Sequence, residues 1–175
     1  MKFKGLILIL VLTLALSVAA LAAGTEDPYY RQWASFKVGS SVSLDGTATS
    51  SSEGNSTFKQ TITLKGVKSD HLVVQISRVE GLRSTNKSKK VERFIGKKSK
   101  LADLGQEEIT AAGKKFKCQR YKLTYFFDNG KEMMSFTYWF HPEIPGAAKI
   151  FAQAQDPAGK IIDTATQTAV SWQKK

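Results

Sequence analysis

The sequence holds one cysteine, two histidines and four prolines. A single cysteine excludes a disulfide framework and any zinc module built on several thiolates. His71 and His141 lie far apart in the chain and far from Cys118, so no metal-ligand spacing and no Cys–His nucleophilic pair emerges. A glycine-rich phosphate loop, a nucleophile elbow and a His-Glu-x-x-His motif are all missing. Glu107 and Glu108 are adjacent, so in a strand they point to opposite faces and cannot act as a paired acid and base. The sequence therefore implies no cofactor, no metal and no enzymatic activity. Acid is also scarce, with 15 Asp and Glu against 26 Lys and Arg, a formal net charge of +11. There is no internal repeat and no linker.

What is present begins with a leader. Lys2 and Lys4 precede an apolar run from Leu6 to Leu16, and Ala20-Leu21-Ala22 fits a small-x-small cleavage site. Residues 1–22 are expected to be a signal peptide and 23–175 one domain. The expected product is exported, to the periplasm or beyond, and soluble after cleavage, with no further membrane span.

The positive charge is local. Arg83, Lys87, Lys89, Lys90, Arg93, Lys97, Lys98 and Lys100 stand in one stretch with a single acid, Glu92. Such density attracts anions by steering and counterion release. It also suits a solvated hairpin whose lysines keep a sheet edge from sticking. Nucleic acid is disfavoured, because no aromatic-rich motif lies within the run.

Apart from one short helix, the periodicity is that of strands. Asp27-Pro28 supplies a helix cap and first-turn proline, and Tyr29 and Trp33 follow on one helical face. Beyond Phe36, apolar residues alternate. Phe58, Ile62 and Leu64 share one face, as do Leu72, Val74 and Ile76, and then Met134, Phe136, Tyr138 and Phe140. Turns at Lys68-Ser69-Asp70, Ala112-Gly113-Lys114, Asp128-Asn129-Gly130-Lys131 and Asp156-Pro157-Ala158-Gly159 separate the runs. Ser40 to Ser52 is poor in large side chains and reads as an edge strand. The spacing predicts a mainly β fold of about nine strands in one curved antiparallel meander, a half-barrel or barrel-like sheet. Phe116 and Cys118 share one parity while Tyr121, Leu123 and Tyr125 share the other, which predicts a bulge near Gln119-Arg120. Cys118 reads as a small buried residue, although Lys117 and Arg120 beside it would favour a thiolate.

Three elements in order carry a resemblance: Gly113 with Cys118, then Tyr138-Trp139-Phe140, then Ile144-Pro145-Gly146. With Trp33, Phe36 and Gly39 before them, they resemble exported bacterial proteins, many planctomycete-like. The Trp…Pro-Gly ending of the sheet is similar to the lipoprotein-carrier superfamily of LolA and LolB type. That resemblance implies a half-barrel around an apolar cavity for acyl chains; the longer helices usual in those carriers are missing here.

Two functions follow as expectations. The first is a non-enzymatic binding module for a lipid or acyl chain, with Trp139, Trp172, Phe136, Tyr138 and Tyr125 at the cavity and a basic rim. The second is an envelope or surface domain with a packed core that binds an anionic polymer or partner through the eight basic residues from Arg83 to Lys100.

Overall fold

A computed structural model describes residues 24–175. The expected leader, residues 1–22, lies outside the described residues. Among those residues no helix is long and apolar enough to cross a membrane.

The chain order is α1 (Pro28–Ala34), β1 (Ser41–Ser50), β2 (Gly54–Val67), β3 (His71–Glu80), β4 (Arg83–Glu92), β5 (Ser99–Ala111), β6 (Lys114–Phe126), β7 (Glu132–Phe140), β8 (Lys149–Gln155) and β9 (Ile161–Gln173). All nine strands form one sheet in the order β4-β3-β2-β1-β9-β8-β7-β6-β5, and every pairing is antiparallel. The expected meander and short helix are observed. The sheet stays open, because its edge strands β4 and β5 do not pair.

Curvature follows from that order. Nine flat strands at about 4.8 Å spacing would hold their outer edges about 38 Å apart. Yet β4 and β5 are consecutive in the chain, and only residues 93–98 join them. That connector reaches about 25 Å when fully extended, so the sheet has to curl. Register shifts supply local bends at Ser43/Leu44, Leu64/Gly66, Asp103/Gln106, Tyr125/Phe126 and Ala154/Gln155.

Two expectations need correcting. Ser41–Ser50 is no edge strand: it pairs with β2 on one side and β9 on the other, in the interior of the sheet. Its lack of large residues has a steric cause at Gly46. The Phe58 ring from β2 lies over that glycine, and an added Cβ would come within 2.3 Å of it. The bulge opposite Arg120 belongs to β5, where Leu104 and Gly105 oppose one residue of β6. Gly105 takes φ +73 there, which an edge strand with a glycine accommodates. Phe116 and Cys118 therefore keep their parity and are buried.

Helix α1 closes one end of the curved sheet. The Asp27 carboxylate caps it by accepting from the Tyr29 amide at 2.8 Å, and Pro28 occupies the first turn. The preceding segment clips the connector. The Asp27 amide donates to the Arg93 carbonyl at 2.8 Å and the Ile95 amide to the Thr25 carbonyl at 2.9 Å. On the far side, Gln32 Nε2 donates to the carbonyls of His141 and Ile144 at 2.8 and 2.9 Å. Trp33 sits fully buried against Gly146, in the loop after β7.

Gly146 has φ +69, and a Cβ there would lie 2.6 Å from the indole. Gly113 has a similar φ of +73 and open space around it. We expect Gly113→Ala to cost only the left-handed penalty, about 1–2 kcal/mol. Gly146→Ala should cost at least about 1 kcal/mol more through overpacking against Trp33. Urea unfolding of the two variants measures the difference, and equal losses would show that the Trp33 contact tolerates the methyl group.

Candidate functional site

The concave face beneath α1 is incompletely filled. A cavity of about 370 Å³ opens between the helix and the sheet. Its walls come from nearly every element: Ile62, Val74, Ile76, Ile150, Phe136 and Tyr138 supply the apolar surface, and Tyr29 hangs from the helix. Strand alternation explains the selection. Ile62 pairs with Ile76 across β2–β3, and Tyr138 pairs with Ile150 across β7–β8, so each pair shares the inner face. Ile76, Phe136 and Tyr125 remain only half-buried although they face inward.

The aromatic wall is continuous. Phe136 and Tyr138 stack at 5.9 Å, Tyr29 lies 5.1 Å from Tyr138, and Tyr125 stands perpendicular to Phe136 at 6.2 Å. Across from it, Gln60 Nε2 donates to Gln167 Oε1 at 3.1 Å, bridging β2 and β9 over β1. Asp27, Lys89, Lys90 and Glu92 add charge to the lining.

A second hollow, of about 360 Å³, also lined by Phe136, lies towards the other end of the sheet. Its floor is a row of small side chains. Ala48 pairs with Ala165, Ala165 with Ala152, and Ala152 with Phe136, so four adjacent strands present alanine, alanine, alanine and phenylalanine in line. Met134 and Ala154, also paired, flank it. Phe136 belongs to both hollows.

Of the five aromatics that the sequence placed at a cavity, Tyr125, Phe136 and Tyr138 line it. Trp139 does not. It points to the opposite face from Tyr138, where its Nε1 donates to Glu107 Oε2 at 3.1 Å and Lys149 Nζ stands 4.8 Å from its ring. Trp172 also lies outside the cavity, edge-on to Phe116 at 5.6 Å. Sequence reasoning missed Asp27, Tyr29, Gln60 and Gln167. Only Tyr29 carried a signal, by sharing a helical face with Trp33; their rings meet edge-on at 6.3 Å.

The basic stretch does not form the single hairpin that the sequence allowed. Arg83, Lys87, Lys89 and Lys90 lie on edge strand β4, Lys100 lies on the opposite edge strand β5, and Arg93, Lys97 and Lys98 lie in the connector. Three of them are paired: Lys90 with Glu92 at 3.0 Å, Arg93 with Glu26 at 2.9 Å, and Lys98 with Asp128. Arg83, Lys87, Lys89, Lys97 and Lys100 have no ion pair among the described residues.

Burial sets the electrostatics. It pushes the Tyr29 hydroxyl up to about 12, and the Asp27 charge adds to this. Tyr138 is likewise raised well above its ordinary value, by burial first and then by Tyr29, Asp27 and Tyr125. Burial likewise lifts the Cys118 thiol to about 11, with Glu107 reinforcing it, so the neighbouring cations do not create a thiolate. Glu107 forms an ion pair with Arg120 and Glu108 with Lys115 at 2.9 Å, which commits both acids to sheet contacts. Among the described residues no three His, Cys, Asp or Glu side chains gather to hold a metal.

Burial also raises the Asp27 carboxyl above 3.8, against the pull of the Tyr29 and Tyr30 amides and of Lys89. A carboxyl whose folded value exceeds its unfolded one binds its proton more tightly when folded. Its contribution to stability is therefore greatest below 3.8 and declines as pH rises through the folded value. Asn caps a helix as well as Asp does and carries no charge. We expect Asp27→Asn to melt at the same temperature as the parent or higher at pH 7, with the advantage vanishing at pH 3. Thermal unfolding followed by circular dichroism tests this, and a lower melting temperature at pH 7 would contradict it.

No protein-family model matches the chain, and no curated protein matches it in sequence. Solved structures similar to it include a LolA superfamily protein from Nitrosomonas europaea, 9% identical, with a TM-score of 0.41 over 87% of this chain and 94% of that one. Another is a domain from Vibrio parahaemolyticus named for outer membrane lipoprotein sorting, 8% identical, with a TM-score of 0.42 over 83% and 89% of the two chains.

Proposed function

We propose that this protein is an exported, non-catalytic binding module for a lipid-like molecule, whose apolar tail lies on the concave face of the sheet. The observation that carries this reading is the pair of hollows on either side of Phe136, which lines both. The first, at about 370 Å³, falls within the range of small-molecule sites. At about 30 Å³ for a water-sized group, it has room for on the order of a dozen such groups. Aliphatic side chains of β2, β3 and β8 and the aromatic wall of β7 supply the apolar contact, and burial of a tail there is favourable at about 25 cal/mol per Å². A packed core would have left no such space, since protein interiors have few voids larger than a water molecule. Helix α1 fixes the roof, so the space exists before a ligand arrives and little ordering cost is added on binding.

The test uses protein stripped of bound lipid. A fluorescent fatty-acid probe should bind, and unlabelled amphiphile should displace it. Ile76 is half-buried and faces the hollow, so Ile76→Trp should fill space with little loss of stability. We expect that variant to bind the probe at least about tenfold more weakly, about 1.4 kcal/mol, with an unchanged circular dichroism spectrum. No probe binding by the parent, together with no lipid found by native mass spectrometry of protein purified from its source, would overturn the reading.

A further inference from the structure

The first hollow differs from the alanine-floored one in its polar groups. The second is walled by Ala48, Ala152, Ala165, Met134 and Phe136, as suits a hydrocarbon. The first instead gathers Asp27, Tyr29, Tyr125 and Tyr138 around Phe136. Asp27 makes no ion pair among the described residues. One of its oxygens accepts from the Tyr29 amide at 2.8 Å, a bond that caps the helix but brings no counter-charge. Lys89 shares the lining but stands beyond ion-pair distance, and Lys90 is already engaged by Glu92 at 3.0 Å.

This set of groups favours one sign of head. The face of an aromatic ring is its negative side and attracts a cation. A partly buried carboxylate lacking a cationic partner gains most from acquiring one. An anionic head would meet the Asp27 carboxylate, and the one cation of the lining without an ion pair to receive it is Lys89. A neutral sugar would gain from neither.

Resting on the binding function proposed above, we propose that the first hollow receives the positively charged head of an amphiphile, a quaternary or primary ammonium. It would sit against Asp27 and the rings of Tyr29, Tyr125 and Tyr138, with the tail running past Phe136 over Ala152, Ala165 and Ala48. The placement opposes the overall charge of the chain, +11. General electrostatic attraction would favour an anion, so a preference for a cation has to come from this cluster.

Three amphiphiles with the same dodecyl tail separate head from tail: dodecyltrimethylammonium, dodecyl maltoside and dodecanoate, each titrated calorimetrically below its micelle concentration. We expect the ammonium to bind at least about fivefold more tightly than the maltoside, and dodecanoate to bind most weakly. Asp27→Asn keeps the cap and should erase the preference of the ammonium over the maltoside. Tyr138→Phe, which retains the ring, should keep the preference, and Tyr138→Leu should lose it. Equal binding of ammonium and maltoside, or tightest binding of dodecanoate, would overturn the head assignment and leave the tail site standing. Failure of all three to bind would remove the tail site and this inference with it. Should Tyr138→Leu fail to fold, Asp27→Asn decides the question alone.

Discussion

A short tether between the two outermost strands governs this molecule. Strands β4 and β5 stand at opposite ends of the sheet order, yet residues 93–98 are all that joins them. Because so short a segment cannot cross the width of a flat nine-stranded sheet, the sheet bends until the tether reaches. Bending gives the sheet an inside. The same tether then serves as a seat, since the backbone of Thr25 and Asp27 pairs with Arg93 and Ile95 and sets the start of α1 at the rim. Helix placement and the depth of the hollow beneath it are consequences of one connection length.

Sequence reasoning recovered what is decided locally. The cap at Asp27, the turns and the alternation of β2, β3 and β7 depend on near neighbours, so the helix and the meander were legible. What depends on distant partners was not. The interior position of β1 is hidden because Gly46 gives its side-chain space to Phe58, leaving a strand that looks thin by composition. The basic stretch reads as one patch because a sequence is linear, whereas the fold sends its parts to two edges and a tether. Trp139 was avoidable: the alternation that places Tyr138 and Phe140 inside places the residue between them outside. The motif linking Trp33 with Pro145 and Gly146 has a physical content that no spacing reveals, a buried indole resting where a side chain would otherwise stand.

Charge illustrates the difference between a total and a place. The chain is strongly basic, and two lysines of β4, Lys87 and Lys89, are exposed without ion pairs among the described residues. The hollow that Lys89 and Lys90 help to line nevertheless also holds two acids, Asp27 and Glu92, and several aromatic rings. Exposed lysines along an edge strand are a familiar guard against sheet-to-sheet pairing, and that role is compatible with a hollow whose lining holds both signs of charge.

The order of strands has a consequence for how the molecule comes to exist. Every neighbouring pair is consecutive in the chain except one, the seam between β1 and β9. The segments before and after the tether are therefore two local meanders, each able to zip through successive hairpins, while the seam joins the first strand to the last and carries the largest loop-closure cost. Gln60, Ile62 and Val74 belong to one meander; Tyr125, Phe136, Tyr138 and Ile150 belong to the other. The hollow is thus a product of the contact with the largest loop to close, and a chain still waiting on its ribosome for β9 has no hollow at all.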